Sequence, residues 1–293
     1  MRSKLFVPAI RFDRFEKALT AGADAICFDL EDAVSFDRKA AAREGLASFL
    51  QERVTGIPQL LVRTNSLNSS DFALDLDACV WPSVFAITLP KVESSEDIAV
   101  AVQALLRHEA TRTNGYQLGI LPTIETPRGL RNALEIAKAS SRIIGLQIGF
   151  ADLMEPLGIS SDNLFARNQA RWALRLAASE ANLDCYDSAF PEYKDLAAFQ
   201  KHLDAAYSFG FAGCSCIHPS QVGPANATFT PSAEALAYAN RVVDAAREAE
   251  KSGSAVTTLD GKMIDRPFII AAERLLVRNR SHQSNRVSLR SNL

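Results

Sequence analysis

Histidine is scarce in this chain, four in 293 residues, and no two fall at a spacing that would clip a zinc ion. Charge of either sign is not in surplus: 32 Lys and Arg stand against 34 Asp and Glu, a formal net charge of -2. Nucleic-acid binders carry a strong basic excess, so no nucleic-acid partner is expected. No apolar run approaches the ~18 residues that a membrane span needs. The N-terminus, Met1-Arg2-Ser3-Lys4-Leu5-Phe6-Val7-Pro8, lacks the longer apolar core of a secretory signal. No membrane attachment is therefore expected, and the cytoplasm is the expected location. The five cysteines, Cys27, Cys79, Cys185, Cys214 and Cys216, are an odd number lying mostly in apolar runs. They suggest buried, reduced thiols, because Cys214 and Cys216 lack both the two-residue spacer and the second ligand pair of a metal clip. Long polar or repetitive stretches are also missing.

What remains is 47% hydrophobic and 23% charged, the make-up of an ordinary globular enzyme. The length suits an eight-fold βα barrel of roughly 250 residues with one arm left over. Short β-rich runs alternate with helix-period segments, the pattern of parallel βα units. Eight such runs occur: 4–8, 25–30, 59–64, 84–89, 117–124, 143–148, 183–188 and 213–217. Between them, 38–53, 96–108, 128–139, 165–181 and 196–209 carry apolar residues at three- and four-residue intervals and should form the outer ring. Ser94-Ser95-Glu96-Asp97 offers oxygens to the free amides of a helix start. The expected organisation is a TIM (β/α)8 barrel over 1–227, a C-terminal helical arm over 228–280 and a polar, disordered tail over 281–293. The arm should hold a long helix over 232–251, a turn over 260–267 and a second helix to about 279.

Reactive groups of such a barrel come from the C-terminal strand ends and the loops that follow. Those positions hold Asp29-Leu30-Glu31-Asp32, Arg63, Glu125 and Asp152. Glu125 follows an apolar run and Asp152 follows Gly149-Phe150-Ala151, so two carboxylates from neighbouring strand ends would converge. Such hard oxygen ligands suit magnesium, which fills its octahedron with water and substrate. Each has a plainer alternative, capping the next helix or pairing with an arginine such as Arg128. Asp29, Glu31 and Asp32 cannot all face inward; one or two would orient metal-bound water or Arg63. A guanidinium on the mostly apolar Leu60-Leu61-Val62-Arg63 needs an anion, either a substrate oxygen or an internal carboxylate from Glu31 or Asp32.

Several segments, in this order and spacing, resemble the citrate lyase beta-subunit-like family, which includes malyl-CoA and citramalyl-CoA lyases. They are Leu5-Phe6-Val7-Pro8, Gly22-Ala23-Asp24 leading to Asp29-Leu30-Glu31-Asp32-Ala33-Val34, Leu89-Pro90-Lys91-Val92-Glu93, Ile124-Glu125-Thr126, Cys216-Ile217-His218-Pro219-Ser220-Gln221 and Gly261-Lys262-Met263-Ile264-Asp265. The resemblance implies a TIM barrel whose C-terminal arm swaps onto a neighbour, in a homotrimer or a multiple of it. Glu125 and Asp152 match the family's magnesium ligands and Arg63 its substrate-binding arginine. Phe6, Lys17, Ile217 and His218 fall where relatives contact acyl-CoA. Asp265 matches an aspartate that the swapped arm lends to a partner's site. The chain departs from the pattern at Ala9, usually Gly, and at Phe12, often Pro, leaving Arg11, Arg14 and Lys17 to meet phosphates.

The implied reaction is magnesium-dependent carbon-carbon cleavage, or formation, of a 3-hydroxyacyl thioester such as malyl-, citramalyl- or citryl-CoA, giving a 2-oxo acid and an acyl thioester of CoA or of a carrier protein. Asp265 would move the proton of the thioester enolate and Arg63 would steady its charge. For His218, ahead of Pro219, a structural or positioning role is the favoured reading over a general base. Three alternatives stay open: an aldolase on free 2-oxo acids, an acyl-CoA thioesterase, and a non-catalytic subunit that binds acyl-CoA.

Overall fold

The computed structural model describes residues 1–290 apart from 54, 55, 57, 114 and 252. Alternation along the strands decides its architecture. In β1 (Ser3–Pro8) Leu5 and Val7 belong to the outer core, and in β2 (Ala25–Asp29) so do Ile26 and Phe28, while Ala25 and Cys27 pack in a second, smaller cluster. Successive side chains point to opposite faces of a strand, so this split marks an outward layer beneath helices and an inward layer inside a barrel. The same division continues through β3 (Gln59–Arg63), β4 (Val84–Leu89), β5 (Gly119–Ile124), β6 (Leu146–Ile148), β7 (Cys185–Asp187) and β8 (Gly213–Cys216). All eight pair in parallel and in chain order, and β8 closes on β1 through Ser3 beside Cys214 and Leu5 beside Cys216.

The helices lie around this barrel: α1 (Phe15–Leu19), α2 (Lys39–Gln51), α3 (Asp71–Cys79), α4 (Ser95–Arg112), α5 (Pro127–Arg131), α6 (Ala133–Lys138), α7 (Phe150–Met154), α8 (Leu164–Glu180), α9 (Leu196–Ser208) and α10 (Val222–Thr228). α4 begins with a reciprocal cap in which Ser94 Oγ accepts from Asp97 N and Asp97 Oδ2 accepts from Ser94 N. Some helices differ from expectation: the segment 128–139 is broken at Asn132 into α5 and α6, and α3, ahead of β4, and the short α7 after β6 were not anticipated. The sixth strand is shorter than expected because Gly145, at φ 156, interrupts it; Ile143 keeps only an isolated bridge to Ile120.

The chain divides into two compact units, Met1–Phe229 and Thr230–Leu293. The second holds α11 (Ala233–Lys251), β9 (Thr257–Leu259), β10 (Lys262–Ile264) and α12 (Arg266–Arg290). Its own core is Ala239, Val242, Val243, Ile264 and Ala272. The expected turn over 260–267 is an antiparallel hairpin, tightened at Asp260 and Gly261, whose φ values are 52 and 75. α12 runs on to Arg290, through most of the segment expected as a disordered tail, and residues 291–293 lie outside the described residues.

Candidate active site

Inward-pointing residues at the C-terminal strand ends line a cavity of about 510 Å³ at the barrel mouth. They include Phe6 and Pro8 from β1, Asp29 from β2, Arg63 from β3, Glu125 after β5, Gln147 and Gly149 from β6 and its end, and Ile217 after β8. Asp152 joins them from the first turn of α7, and Asp32 from the loop after β2. That loop is fixed from behind by Lys39, whose Nζ donates to the carbonyls of Leu30 and Glu31 and to Asn65 Oδ1.

Arg63 is clamped by carboxylates. Its Nε and Nη2 donate to the two oxygens of Asp29 at 2.7 and 2.6 Å, and Nη1 lies 2.9 Å from Glu31 and 3.6 Å from Asp32. Its guanidinium stands 5.3 Å from the ring centre of Phe6. Both suggestions for Arg63 thus have a physical basis: the internal ion pairs are formed, and the side chain lines the cavity.

Glu125 is 4% exposed, and its Oε1 accepts from the backbone N of Lys91 at 2.8 Å. Arg128 pairs instead with Glu93, at 3.9 Å. Burial, then the neighbouring charges of Asp152 and Glu31, push the Glu125 carboxyl up to about 8. Lys91 holds the group together: its backbone takes φ 53, and its Nζ reaches Glu31 at 3.3 Å and Asp152 at 3.8 Å. Nothing in its residue type announces this conformation. Below the mouth, Lys4 Nζ bonds Gln147 Oε1 across the barrel, and burial brings its amine down to about 8.

The arrangement asks for a cation. Five carboxylates, Asp29, Glu31, Asp32, Glu125 and Asp152, gather around Arg63 and Lys91, with Lys4 as the third positive group. Fully ionised, that leaves two negative charges unmatched. Gly149 leaves room beside Glu125, since a Cβ there would collide with the carboxylate. Among the described residues no three His, Cys, Asp or Glu side chains form a complete metal cage. An ion held here would take its other ligands from water and substrate, which is how magnesium is usually bound.

Gly149→Ala is expected to push Glu125 aside, weakening magnesium binding in a titration and lowering turnover by about 10²-fold. The protein should remain folded, at a cost of about 1–3 kcal/mol in melting experiments.

The remaining expected residues are placed differently. Lys17 is exposed on α1 and does not line the cavity. His218 lies just past Ile217, stacked on Tyr193 at 4.6 Å. Its Nδ1 is engaged by Ser220, accepting from Ser220 N at 3.2 Å and lying 2.8 Å from Oγ. Arg11 pairs with Asp13 at 2.7 Å. All five cysteines are free and buried. Asp265 ends the hairpin of the second unit; its backbone oxygen accepts from Phe268 N, and its Oδ1 has no hydrogen-bond partner among the described residues.

Absent from the sequence expectations was the wall formed by α8. There Arg171, fully buried, donates to Asp187 Oδ2 at 2.8 Å, and His202 Nε2 lies 3.1 Å from the same oxygen. Arg167 completes the cluster through His202 Nδ1 and lines the cavity.

Comparison with known proteins follows this geometry. The family model described as HpcH/HpaI aldolase/citrate lyase matches residues 2–219. Citrate lyase subunit beta of Haemophilus influenzae is 34% identical over 290 residues, 96% of this chain and 97% of that protein. A (3S)-malyl-CoA thioesterase of Cereibacter sphaeroides is also 34% identical, over 278 residues and 94% of each chain. Among solved structures, CitE of Mycobacterium tuberculosis in complex with magnesium, acetoacetate and coenzyme A superposes with a TM-score of 0.74 at 32% identity, covering 95% of this chain and 99% of that one. The chain belongs to the HpcH/HpaI aldolase/citrate lyase family.

Proposed function

We propose that the chain is a magnesium-dependent carbon-carbon lyase acting on a 3-hydroxyacyl thioester of CoA or of a carrier protein, with a 2-oxo acid and an acyl thioester as the other side of the reaction. The observation that carries this reading is the carboxylate-rich mouth around Glu125 and Asp152, where Gly149 leaves room beside Glu125. Magnesium bound there would supply Lewis acidity, lowering the pKa of a substrate hydroxyl so that its proton is released to solvent as the hydroxyl carbon becomes a carbonyl. Glu125, fixed by Lys91 N, and Asp152 would hold the ion.

As the carbon-carbon bond breaks, its electron pair passes to the thioester as an enolate. Arg63, already oriented by Asp29, would stand beside that charge and Phe6 beside the acyl chain. Ile217, exposed at the rim, would contact the carrier, with Lys17 and His218 further out. Asp265 would bring the proton that quenches the enolate, delivered by the arm of a neighbouring subunit in a trimer or a multiple of it.

Hydrolysis of the thioester is the second reading, favoured by the malyl-CoA thioesterase being as similar to this chain as the citrate lyase subunit is. Product analysis separates the two. Malyl-, citramalyl- and citryl-thioesters are incubated with magnesium, and the lyase reading expects a 2-oxo acid and an acyl thioester in equal amounts. Free thiol and intact hydroxy acid would establish the thioesterase instead. In the same assay Asp265→Asn should lower turnover by roughly 10²- to 10⁴-fold while magnesium affinity is unchanged.

A further inference from the structure

We propose that Arg167 recognises a second carboxylate on the 2-oxo acid, at the α8 wall of the mouth, so that the preferred acid is a dicarboxylate. This rests on the lyase reading above and adds the class of acid to it.

The two arginines, Arg63 and Arg167, come from different parts of the ring. Arg63 ends β3, whereas Arg167 lies on α8, between β6 and β7 in the chain, where it bonds His202 and stands over the Phe150 ring. Glu125 and Asp152 lie between them, after β5 and in α7. All four side chains line the same cavity.

Their electrostatic situations are opposite. Arg63 has Asp29, Glu31 and Asp32 within ion-pair distance. Arg167 forms no ion pair with any described residue. Its bond is to His202 Nδ1, and that imidazole is neutral: Nε2 faces Asp187 Oδ2 at 3.1 Å and the carbonyl of Ser188 at 3.2 Å, so Nε2 carries the proton and Nδ1 accepts. Burial holds the His202 pKa down to about 4, which keeps it uncharged. The one buried carboxylate of this wall, Asp187, is committed to Arg171, whose Nε and Nη2 both reach it. Two arginines, both within 5.0 Å of the Phe150 ring centre, therefore share one aspartate. Asp162 and Glu192 bear on Arg167 only from a distance and are themselves exposed.

Arg167 is only 9% exposed, and its Nε is buried without a hydrogen-bond partner among the described residues. A buried guanidinium with spare charge and a spare donor at a cavity wall calls for an anion. The carboxylates thus gather from β2 to β6, and apart from the exposed Asp162 the wall at α8 is positive. An acid that chelates a cation through its 2-oxo carboxylate would direct a further carboxylate toward Arg167.

The test is calorimetric binding, in saturating magnesium, of pyruvate, of oxaloacetate, which adds one carboxylate, and of CoA. Wild type, Arg167→Met and Arg167→Lys are compared, with melting curves for each. Wild type should bind oxaloacetate roughly 10- to 100-fold more tightly than pyruvate, the range for a hydrogen bond to a charged group. Arg167→Met should erase that preference while pyruvate affinity stays within about twofold, and Arg167→Lys, which keeps the charge in place even if Met destabilises the fold, should restore part of it. No preference in wild type, or equal losses for both acids, overturns the proposal. So does a loss confined to CoA, which would assign the anion to the carrier's phosphates. Failure of the lyase reading shows separately, in the product analysis above, as free thiol and intact hydroxy acid.

Discussion

Glu125→Gln is expected to abolish magnesium binding and to lower turnover by about 10³-fold, yet to leave the metal-free chain at least as heat-stable as the unsubstituted one. The first half follows from the role proposed for Glu125 as an anionic ligand that Asp152 alone would not replace. The second follows from burial. Glu125 is pushed up to about 8, so without metal its ionised form is disfavoured in the folded chain, and Gln keeps the shape and the bond from Lys91 N without the charge. The pH dependence has a definite sign. A carboxyl with a raised folded pKa contributes stability that is complete below its ordinary value of 4.5 and is lost as pH rises through about 8. The gain in melting temperature on adding magnesium should therefore grow across that window, and should vanish in Glu125→Gln. A magnesium-dependent gain that survives in the variant would remove Glu125 from the metal site.

Arg171→Ala should be the most damaging substitution to stability, about 3–5 kcal/mol, or roughly 10 °C in melting temperature. Arg171 and Asp187 are both fully buried, and truncating the arginine leaves the carboxylate in a dry environment. Replacing both partners, as Arg171→Met with Asp187→Leu, should recover much of the loss, because a buried ion pair is costly chiefly when halved. Melts against pH add a second readout in the unsubstituted chain. His202 is lowered from 6.5 to about 4, first by burial, so the stability it contributes is present above 6.5 and disappears as pH falls through about 4. If Arg171→Ala melts with the wild type, the ion pair contributes nothing to the fold.

The barrel was legible because its strands are short β-rich runs at regular intervals, and period-two alternation then says which of their residues face the mouth. Phe6, Asp29, Arg63, Glu125 and Ile217 all sit at such positions. Lys4 obeys the same rule, in step with Phe6 and Pro8, and could have been read as an interior amine. Arg167 and Arg171 had a signal too: both fall on the apolar face of α8 with Ala170, Leu174 and Ala178, where arginine has no business unless it meets an anion. Lys91 stood in one of the motif segments, and its amine reaches Glu31 and Asp152, but its left-handed backbone and the main-chain N–H that holds Glu125 are not written in the identity of a lysine. The hairpin of the second unit was read only as a turn because strands of three residues are too short to show alternation.

The placement of the cysteines has a chemical consequence for the thioester chemistry proposed above. A thioester passes its acyl group readily to any accessible thiolate, so an exposed cysteine near the mouth would invite self-acylation and divert the substrate. Here Cys214 and Cys216 on β8 point outward into the layer beneath the helices, and Cys27, though it faces the barrel interior, is fully buried. Burial raises the thiols of Cys27 and Cys79 and takes Cys185 up to about 12, while the hydrogen bond with Cys216 and then burial raise Cys214, leaving hardly any thiolate of these four at neutral pH. The barrel would thus shelter a thioester substrate from its own sulfur, and alkylating reagents should leave the folded protein's turnover untouched.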